Sequence, residues 1–245
     1  MWRVALYSEP VLDARAADPR WLTPGEVLRA GRLVSAVDRH RFVVSHELLR
    51  VAVADSVGAH PFDIVLDFAC ERCGEQHGRP RVVAGAGAGA GAGGARSEVS
   101  VSLSRSAGAA LIAVLVAPPG ERVPAIGVDL ERIEAVGFPG FDDVALSAAE
   151  RASLGAADLD AGGPLAARAA LWVRKEAVAK ALGSGLRHDA RHLDVAGAVH
   201  GRTLIGSRTF TWRDVESPLP GCVAALAIES LPSETTAPNF RTLGP

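Results

Sequence analysis

Lysine is almost absent from this chain of 245 residues. Only two of its 26 basic residues are lysine, and both lie in one short stretch, Trp172-Val-Arg-Lys-Glu-Ala-Val-Ala-Lys180. An ammonium is a compact point charge with rotatable donors, whereas the guanidinium used everywhere else is a planar fork. A composition that keeps lysine only at Lys175 and Lys180 indicates that these positions need an ammonium. The stretch is therefore the first candidate for chemistry.

Three further absences limit the class of protein. The chain has no run of about 20 apolar residues, and it begins without a charged-then-apolar leader, so we expect no membrane partner and a cytoplasmic location. A formal net charge of -2 provides no basic excess for nucleic-acid binding. Three cysteines, an odd number, do not form a disulfide framework. The length allows a buried core as one large domain or two small ones.

A pair of acids precedes the lysines. The segment Pro124-Ala-Ile-Gly-Val-Asp-Leu-Glu131 predicts a short buried strand, whose alternation places Asp129 and Glu131 on one face. Adjacent carboxylates repel each other, and a hard cation such as Mg²⁺ relieves the repulsion. If a helix brings Glu176 alongside, the site has three carboxylates, with Lys180 one turn further on the same helical face. Three acids, a metal and a lysine suit phosphoryl-group chemistry.

The lysine stretch also has a simpler interpretation. Glu176 and Lys180 stand four residues apart, a common spacing for solvated ion pairs on an amphipathic helix. From this stretch alone, both interpretations stay open. The upstream pair of acids favours the functional one, because two neighbouring carboxylates on a buried strand need a cation.

Together the two segments resemble the signature motifs of the 4'-phosphopantetheinyl transferases. Ile126-Gly-Val-Asp-Leu-Glu131 is similar to their Gly-x-Asp-x-Glu strand, and the stretch from Trp172 to Lys180 is similar to their Trp-x-x-Lys-Glu-x-x-x-Lys helix. The length resembles the larger, surfactin-synthetase-activating type. The resemblance implies a monomer with an α+β fold of two similar lobes related by a pseudo-twofold axis, with the active site in the cleft between them. It also implies transfer of the phosphopantetheine arm of coenzyme A to a serine of an acyl or peptidyl carrier protein, with release of adenosine 3',5'-bisphosphate.

The resemblance extends to residues expected to bind coenzyme A. Arg79 lies in Gly-Arg-Pro, which resembles the family's Gly-Lys/Arg-Pro turn. The basic residue of that turn contacts the coenzyme's phosphates, and the resemblance implies the same contact for Arg79. Val101-Ser-Leu-Ser-Arg-Ser106 occupies the place of the usual Asn-Leu-Ser-His-Ser. Here Ser104 fits, Ser102 replaces asparagine, and Arg105 replaces histidine. Because arginine is a permanent cation, we expect phosphate binding to survive at Arg105 without the pH dependence of histidine.

A third basic candidate lies on a predicted helix from Ser35 to Val57. Arg50, in Glu-Leu-Leu-Arg, resembles the final arginine of the family's basic N-terminal helix and is expected to contact the nucleotide phosphate, ahead of Arg39 and Arg41. The alternative for an arginine on a helix is a solvated guanidinium.

The resemblance also implies a role for each motif residue. Mg²⁺ on Asp129, Glu131 and Glu176 bridges the pyrophosphate while the carrier serine attacks the β-phosphorus. Glu176, or a water that it holds, is the candidate to take the serine proton. Lys180 is expected to neutralise charge on the leaving phosphate. Lys175 lies about 100° round the helix from Glu176 and is expected either to serve the leaving group or to orient Glu176.

Cys70-Glu-Arg-Cys73 followed by His77 has the spacing of half a zinc site. A structural zinc takes four ligands, and the remaining cysteine, Cys222, has no second ligand pair beside it. The sequence therefore favours a reduced surface loop. A redox role is disfavoured, because no strand-to-helix context surrounds the pair.

The order of predicted elements repeats in the two halves, which supports two stacked α+β lobes. We expect an N-terminal lobe over residues 1–117 that binds the coenzyme's phosphates and a C-terminal lobe over residues 118–231 that carries the Mg²⁺ motifs. The second lobe has a predicted helix from about Pro164 to Leu182 and a predicted strand near His192 to Val195. A tail over residues 232–245 is expected to be disordered.

A run of glycine and alanine from Ala84 to Ala95 is expected to be a mobile loop without function, because it offers no side chains to bury. Two other classes of protein remain as alternatives. A catalytically weak coenzyme-A-binding relative would keep the arginines and lose a metal carboxylate, and none of the three is lost. A zinc-ribbon binding module would need a second cysteine pair and a basic face, which the sequence lacks.

Overall fold

The structure is a computed structural model that describes residues 3–70, 72–84, 98–154, 163–183, 189–231 and 239–243. Its helices are α1 (Pro24–Gly31), α2 (Ala36–Val57), α3 (Phe141–Ala145), α4 (Ala148–Leu154) and α5 (Gly163–Leu182). Its strands are β1 (Arg3–Glu9), β2 (Val65–Ala69), β3 (Gln76–Ala84), β4 (Val99–Ser106), β5 (Ala109–Val116), β6 (Ile126–Arg132), β7 (His200–Ile205), β8 (Arg208–Val215), β9 (Cys222–Ser230) and β10 (Asn239–Leu243). The predicted α+β class is confirmed.

The chain divides into two compact units. The first comprises Met1–Leu103, Gly108–Val123 and Pro238–Pro245, and the second comprises Ser104–Ala107 and Pro124–Ala237. The four residues Ser104–Ala107, at the end of β4, thus group with the unit that carries β6 and α5. None of the described helices combines the length and the apolar character needed to cross a membrane.

In the first unit, α2 packs on a six-stranded sheet with the order β10-β1-β5-β4-β3-β2. The helix begins after Ser35, whose side chain accepts a hydrogen bond from the N–H of Asp38, and ends at Gly58, which has a left-handed φ of 69°. Leu49 and Val53 of α2 are fully buried in the core that the helix shares with the sheet. Burying a side chain of this size contributes about 1.5–3 kcal/mol.

In the second unit, α5 packs on an antiparallel sheet with the order β6-β9-β8-β7. Gly127 of β6 faces this helix, and a Cβ atom at that position would lie 2.0 Å from the carbonyl oxygen of Ala177 and 2.6 Å from the backbone nitrogen of Ala181. Only glycine therefore permits the observed approach of backbone to backbone. The glycine of the Gly-x-Asp-x-Glu pattern sets how closely the acidic strand lies to the lysine helix.

The predicted strand near His192 to Val195 is wrong. Ala190–His192 forms a short 3-10 helix, and the following residues are irregular. Side chains satisfy this backbone in place of a neighbouring strand: Lys175 donates to the carbonyl of Leu193, and the N–H of Val195 donates to Glu150. Leu193 and Val195 are both buried, as alternate residues of a strand would be, but they belong to an irregular segment that packs inward.

Two expectations concern segments that the structure describes only in part. Residues 85–97, which hold most of the glycine–alanine run, lie outside the described residues. The same is true of residues 232–238 and 244–245 of the tail. Residues 239–243 form β10, which pairs parallel with β1 from Arg3↔Asn239 to Tyr7↔Leu243. The expectation of disorder is therefore wrong for these five residues.

Candidate active site

Asp129 is a buried acid of the second unit that contacts both β4 and α5. It is 6% exposed, and one of its oxygens, Oδ1, accepts hydrogen bonds from Lys180 Nζ at 2.7 Å and from Ser104 Oγ at 2.8 Å. The alternation of β6 places Asp129 on the same face as Gly127, which contacts α5. The close packing at Gly127 therefore brings the ammonium of Lys180 within reach of this carboxylate.

Glu131 lies two residues along the same strand and is held in a similar way. Its Oε1 accepts a hydrogen bond from Ser106 Oγ at 2.7 Å. The serines that hold the two acids, Ser104 and Ser106, are themselves two residues apart and so extend from one face of β4. Sequence reasoning missed the role of Ser106, although the alternation Ser-Leu-Ser-Arg-Ser is the signal that predicts a hydroxyl-bearing face.

The third acid, Glu176, is electrostatically coupled to the other two. Burial raises the pKa of its carboxyl, the negative charges of Asp129 and Glu131 raise it further, and Lys180 opposes them, so that the pKa reaches about 7. This coupling requires the three carboxylates to lie near one another. The structure thus brings together Asp129, Glu131, Glu176 and Lys180, the four residues that the two motifs predicted to share a site.

The three carboxylates suit a hard cation. They offer only oxygen donors, which Mg²⁺ prefers, and a divalent charge would relieve the repulsion that raises the pKa of Glu176. Their oxygens are not gathered into one tight cluster: among the described residues, three potential ligand atoms lie within 4.8 Å of one another only at Cys70, Cys73 and His77. Asp129 instead bonds to a cation of the protein, the ammonium of Lys180.

Lys175 does not join this site. Its side chain is 1% exposed, and Nζ contacts Glu150 Oε2 at 2.6 Å and donates to the carbonyls of Ala190 and Leu193, both at 2.7 Å. Burial lowers the pKa of Lys175, and the hydrogen bond and charge of Glu150 partly compensate. The catalytic or orienting role of Lys175 stays a prediction, while in the structure its ammonium binds one carboxylate and two backbone carbonyls.

Arg50 is buried against an acid of the first unit. Its side chain is 4% exposed, and its guanidinium binds Glu26 through Nη2 at 2.6 Å and Nη1 at 3.1 Å. His46 Nδ1 lies 2.6 Å from the same carboxylate. A phosphate contact of Arg50 stays a prediction, and it would compete with a bidentate, buried ion pair.

Glu26 makes the first unit sensitive to acid. Burial raises the pKa of its carboxyl, but hydrogen bonds from His46, Arg50 and the N–H of Thr23 outweigh this and lower the pKa to about 2. A lowered pKa in the folded state stabilises the fold above the unfolded value of 4.5 and loses that contribution as the pH falls towards 2. We expect the advantage of wild type over Glu26→Gln in urea unfolding to shrink by on the order of 2–3 kcal/mol between pH 6 and pH 2.5. A constant difference would contradict this.

The remaining predicted coenzyme contacts have different surroundings. Ser104 is buried, and its hydroxyl donates to Asp129 and accepts from the N–H of Leu130. In the structure Ser104 thus positions a carboxylate, and its contact with a phosphate stays a prediction. Arg79 lies on β3, half-buried, and donates to Ser100 Oγ at 2.6 Å. Arg105 is exposed.

Sequence reasoning missed an apolar groove beside Glu131. It has a volume of about 360 Å³, and its walls include Val136, Phe138, Val144 and Trp172. Phe138 and Val144 are more than half exposed. Trp172 packs edge-on against Phe141 at a centroid distance of 5.7 Å. The lining is largely apolar and also includes the carboxylates of Glu131 and Asp189, so it suits a ligand that combines apolar and polar groups.

The comparisons with known proteins agree with this geometry. Residues 125–220 match the family model of the 4'-phosphopantetheinyl transferase superfamily. The match includes β6 and α5, and so Asp129, Glu131, Glu176 and Lys180. No curated protein matches the chain. The predicted resemblance is confirmed for this segment, which matches the model of a transferase superfamily.

Proposed function

We propose that this protein is a 4'-phosphopantetheinyl transferase of the larger, surfactin-synthetase-activating type, acting as a monomer. It transfers the phosphopantetheine arm of coenzyme A to a serine hydroxyl of an acyl or peptidyl carrier protein. The observation that carries the proposal is the contact of Asp129 with Lys180 of α5, near which Glu131 and Glu176 add two further carboxylates. That site lies within the segment that matches the superfamily.

The three carboxylates are the proposed metal ligands. Asp129, Glu131 and Glu176 would hold Mg²⁺, which when bound neutralises the pyrophosphate of coenzyme A and makes its β-phosphorus a better electrophile. Ser104 and Ser106 hold Asp129 and Glu131 in place through hydrogen bonds of 2.8 and 2.7 Å. Such supporting hydrogen bonds fix the orientation of ligand carboxylates.

Glu176 and Lys180 are the proposed catalytic residues. The serine oxygen forms a bond to the β-phosphorus while the bond from that phosphorus to the bridging oxygen breaks, and adenosine 3',5'-bisphosphate leaves. Glu176 is the proposed group that accepts the serine proton, directly or through a water. Lys180 is 30% exposed at its side chain, so its ammonium can stabilise charge that develops on the leaving phosphate.

The groove beside Glu131 is the proposed position of the pantetheine arm. This arm is an uncharged chain of methylenes and amides that follows the pyrophosphate. An apolar wall with Phe138 and Trp172, in a groove that the proposed metal ligand Glu131 also lines, suits such a chain. Arg79 and Arg105 remain the proposed contacts of the coenzyme's phosphates, because Arg50 and Ser104 already bind Glu26 and Asp129.

Mass spectrometry of a carrier protein tests the proposed reaction. An apo carrier incubated with the protein, coenzyme A and Mg²⁺ is expected to gain the mass of one phosphopantetheine arm. The same carrier with its acceptor serine changed to alanine is the control and should gain nothing. Binding of coenzyme A without any mass gain on acyl and peptidyl carriers would instead identify a coenzyme-A-binding module.

Arg105 is expected to recognise the 3'-phosphate of coenzyme A. Arg105→Ala should weaken coenzyme A by about 10-fold or more, because a charge-assisted contact is lost, and should weaken dephospho-coenzyme A much less. Arg105→His should introduce a titration in which binding weakens as the pH rises past about 6.5, since histidine loses its charge there. Isothermal titration with both ligands measures these effects.

The control for Arg105 is Arg202→Ala, which removes another exposed arginine of the second unit and should leave both affinities unchanged. If Arg105→Ala weakens the two ligands equally, Arg105 does not contact the 3'-phosphate, and the phosphate site has to be assigned to Arg79.

A further inference from the structure

Two cysteines and a histidine meet at the turn between β2 and β3. Cys70 follows the last residue of β2, Cys73 lies in the turn, and His77 is the second residue of β3. One potential ligand atom from each of the three lies within 4.8 Å of the others, and Cys73 Sγ is 3.0 Å from His77 Nε2. All three cysteines of the chain are reduced thiols. The fold thus brings together the three residues whose spacing in the sequence resembled half a zinc site.

The backbone of the turn holds these ligands together. The N–H of Cys70 donates to the carbonyl of Glu75, and the N–H of Gly74 donates to the carbonyl of Cys70, each at 2.8 Å. Gly74 has a φ of 72°, which glycine adopts without strain. At Gly78, a Cβ atom would lie 2.7 Å from the carbonyl oxygen of Ala69, so the two strands close tightly behind the turn.

The turn is also fixed from outside by α1. Arg29 of this helix donates to the carbonyl of Gln76 at 2.8 Å, and Arg32 forms an ion pair with Glu75 at 2.7 Å. The positions of the three ligands therefore follow from backbone hydrogen bonds and from anchoring to a helix. Such a preformed arrangement lowers the entropic cost of binding a metal.

We propose that Cys70, Cys73 and His77 bind a zinc ion. Two thiolates and one imidazole are the ligands that zinc prefers, and they are poor ligands for Mg²⁺. With Zn–S about 2.3 Å and Zn–N about 2.0–2.1 Å, tetrahedral geometry puts sulfur and nitrogen about 3.6 Å apart. The observed separation of 3.0 Å between Cys73 Sγ and His77 Nε2 needs only a small opening to reach it.

The fourth position of this zinc site faces solvent. Cys73 and His77 are exposed and Cys70 is half-buried, so the ion can enter directly and a water completes its coordination. Two thiolates balance the charge of the ion. The metal would then clamp the β2–β3 turn, which hydrogen bonds and the ion pair of Arg32 with Glu75 also hold. The proposal departs from the expectation of a reduced surface loop, which depended on the absence of a second cysteine pair.

Zinc titration of the full chain tests this proposal. Protein without a polyhistidine tag, kept reduced, is titrated against a chromogenic zinc chelator, and we expect one zinc per chain. Cys73→Ser and His77→Gln should weaken binding by at least about 100-fold, since even loss of a group that supports a ligand costs about 10–100-fold. The matched controls Cys222→Ser and His200→Gln should bind as wild type does.

Cobalt substitution gives a second readout. Wild type with Co²⁺ should show the thiolate-to-cobalt charge-transfer band, Cys73→Ser should show a weaker one, and the double variant Cys70→Ser/Cys73→Ser should show none. Asp129→Asn should leave zinc and cobalt binding unchanged, which separates this site from the proposed Mg²⁺ site. Failure of reduced wild type to bind zinc, or equal affinity in folded Cys73→Ser, overturns the proposal. A Cys70–Cys73 disulfide in protein that binds no zinc once reduced overturns it as well.

Discussion

Asp129→Asn is expected to lower the rate of phosphopantetheine transfer by about 10³-fold or more while the protein stays folded. Asp129 Oδ1 joins Lys180 and Ser104, and it is the proposed metal ligand with the least exposure. An amide keeps the size of the side chain but removes its charge, so that both metal binding and the pairing of Lys180 are lost. The loss of one preorganised electrostatic contact in an active site commonly costs about 10²–10³-fold, and here two functions of one group are removed together.

The measurement is kcat/KM for transfer to a carrier protein, with Mg²⁺ affinity determined on the same samples. Asp143→Asn is the matched control, because Asp143 is an acid of the second unit that is 77% exposed at its side chain and pairs with Arg151 on the surface. It should retain the wild-type rate. Full activity of wild type in excess EDTA, or of Asp129→Asn in Mg²⁺, would remove Asp129 from the metal site.

The two lysines are expected to separate stability from catalysis. Lys175→Met should lower the free energy of unfolding by about 3–5 kcal/mol, since it leaves Glu150 as an unpaired buried charge. Glu150 is fully buried, and the carbonyls of Ala190 and Leu193 lose their donor in the same change. Urea unfolding at pH 7 measures the loss. A decrease below about 1 kcal/mol would mean that the buried pair contributes little.

Lys180→Arg is expected to have the opposite effect to Lys175→Met, with a lower rate and little change in stability. The change keeps a positive charge next to Asp129, so we expect the free energy of unfolding to change by less than about 1 kcal/mol. The rate should fall by about 10-fold or more, because a planar guanidinium cannot reproduce the position of a compact ammonium at the leaving phosphate. Measured together, the variants at 175 and 180 show whether the two lysines are retained for different reasons. Equal, wild-type rates and stabilities in both would contradict this.

The motif residues could be predicted from the sequence because their relation is local. Alternation along a strand puts Asp129 and Glu131 on one face, and one helical turn joins Glu176 to Lys180. The bounds of α2 and α5 were also predicted to within one or two residues, since Ser35, Gly58 and Gly183 are strong signals for helix ends.

The partners of Arg50 and Ser104 could not be predicted from the sequence, because they are not local. Whether a guanidinium or a hydroxyl can meet a phosphate depends on its other partners, which come from distant parts of the chain. Glu26 stands 24 residues from Arg50, and Asp129 stands 25 residues from Ser104. The residues next to Arg50 and Ser104 in the sequence do not predict these partners.

The sequence by itself determined the class of the fold and the resemblance of an acidic strand and a lysine helix to a superfamily, because periodicity and motif spacing can be recognised along the chain. Only the tertiary structure decided which lysine lies beside Asp129 and which is buried against Glu150. It also decided that Arg50 pairs with Glu26 and that Cys70, Cys73 and His77 lie together. Each of these outcomes depends on a partner brought near by folding, and the free energy of burying a charge is set by that partner.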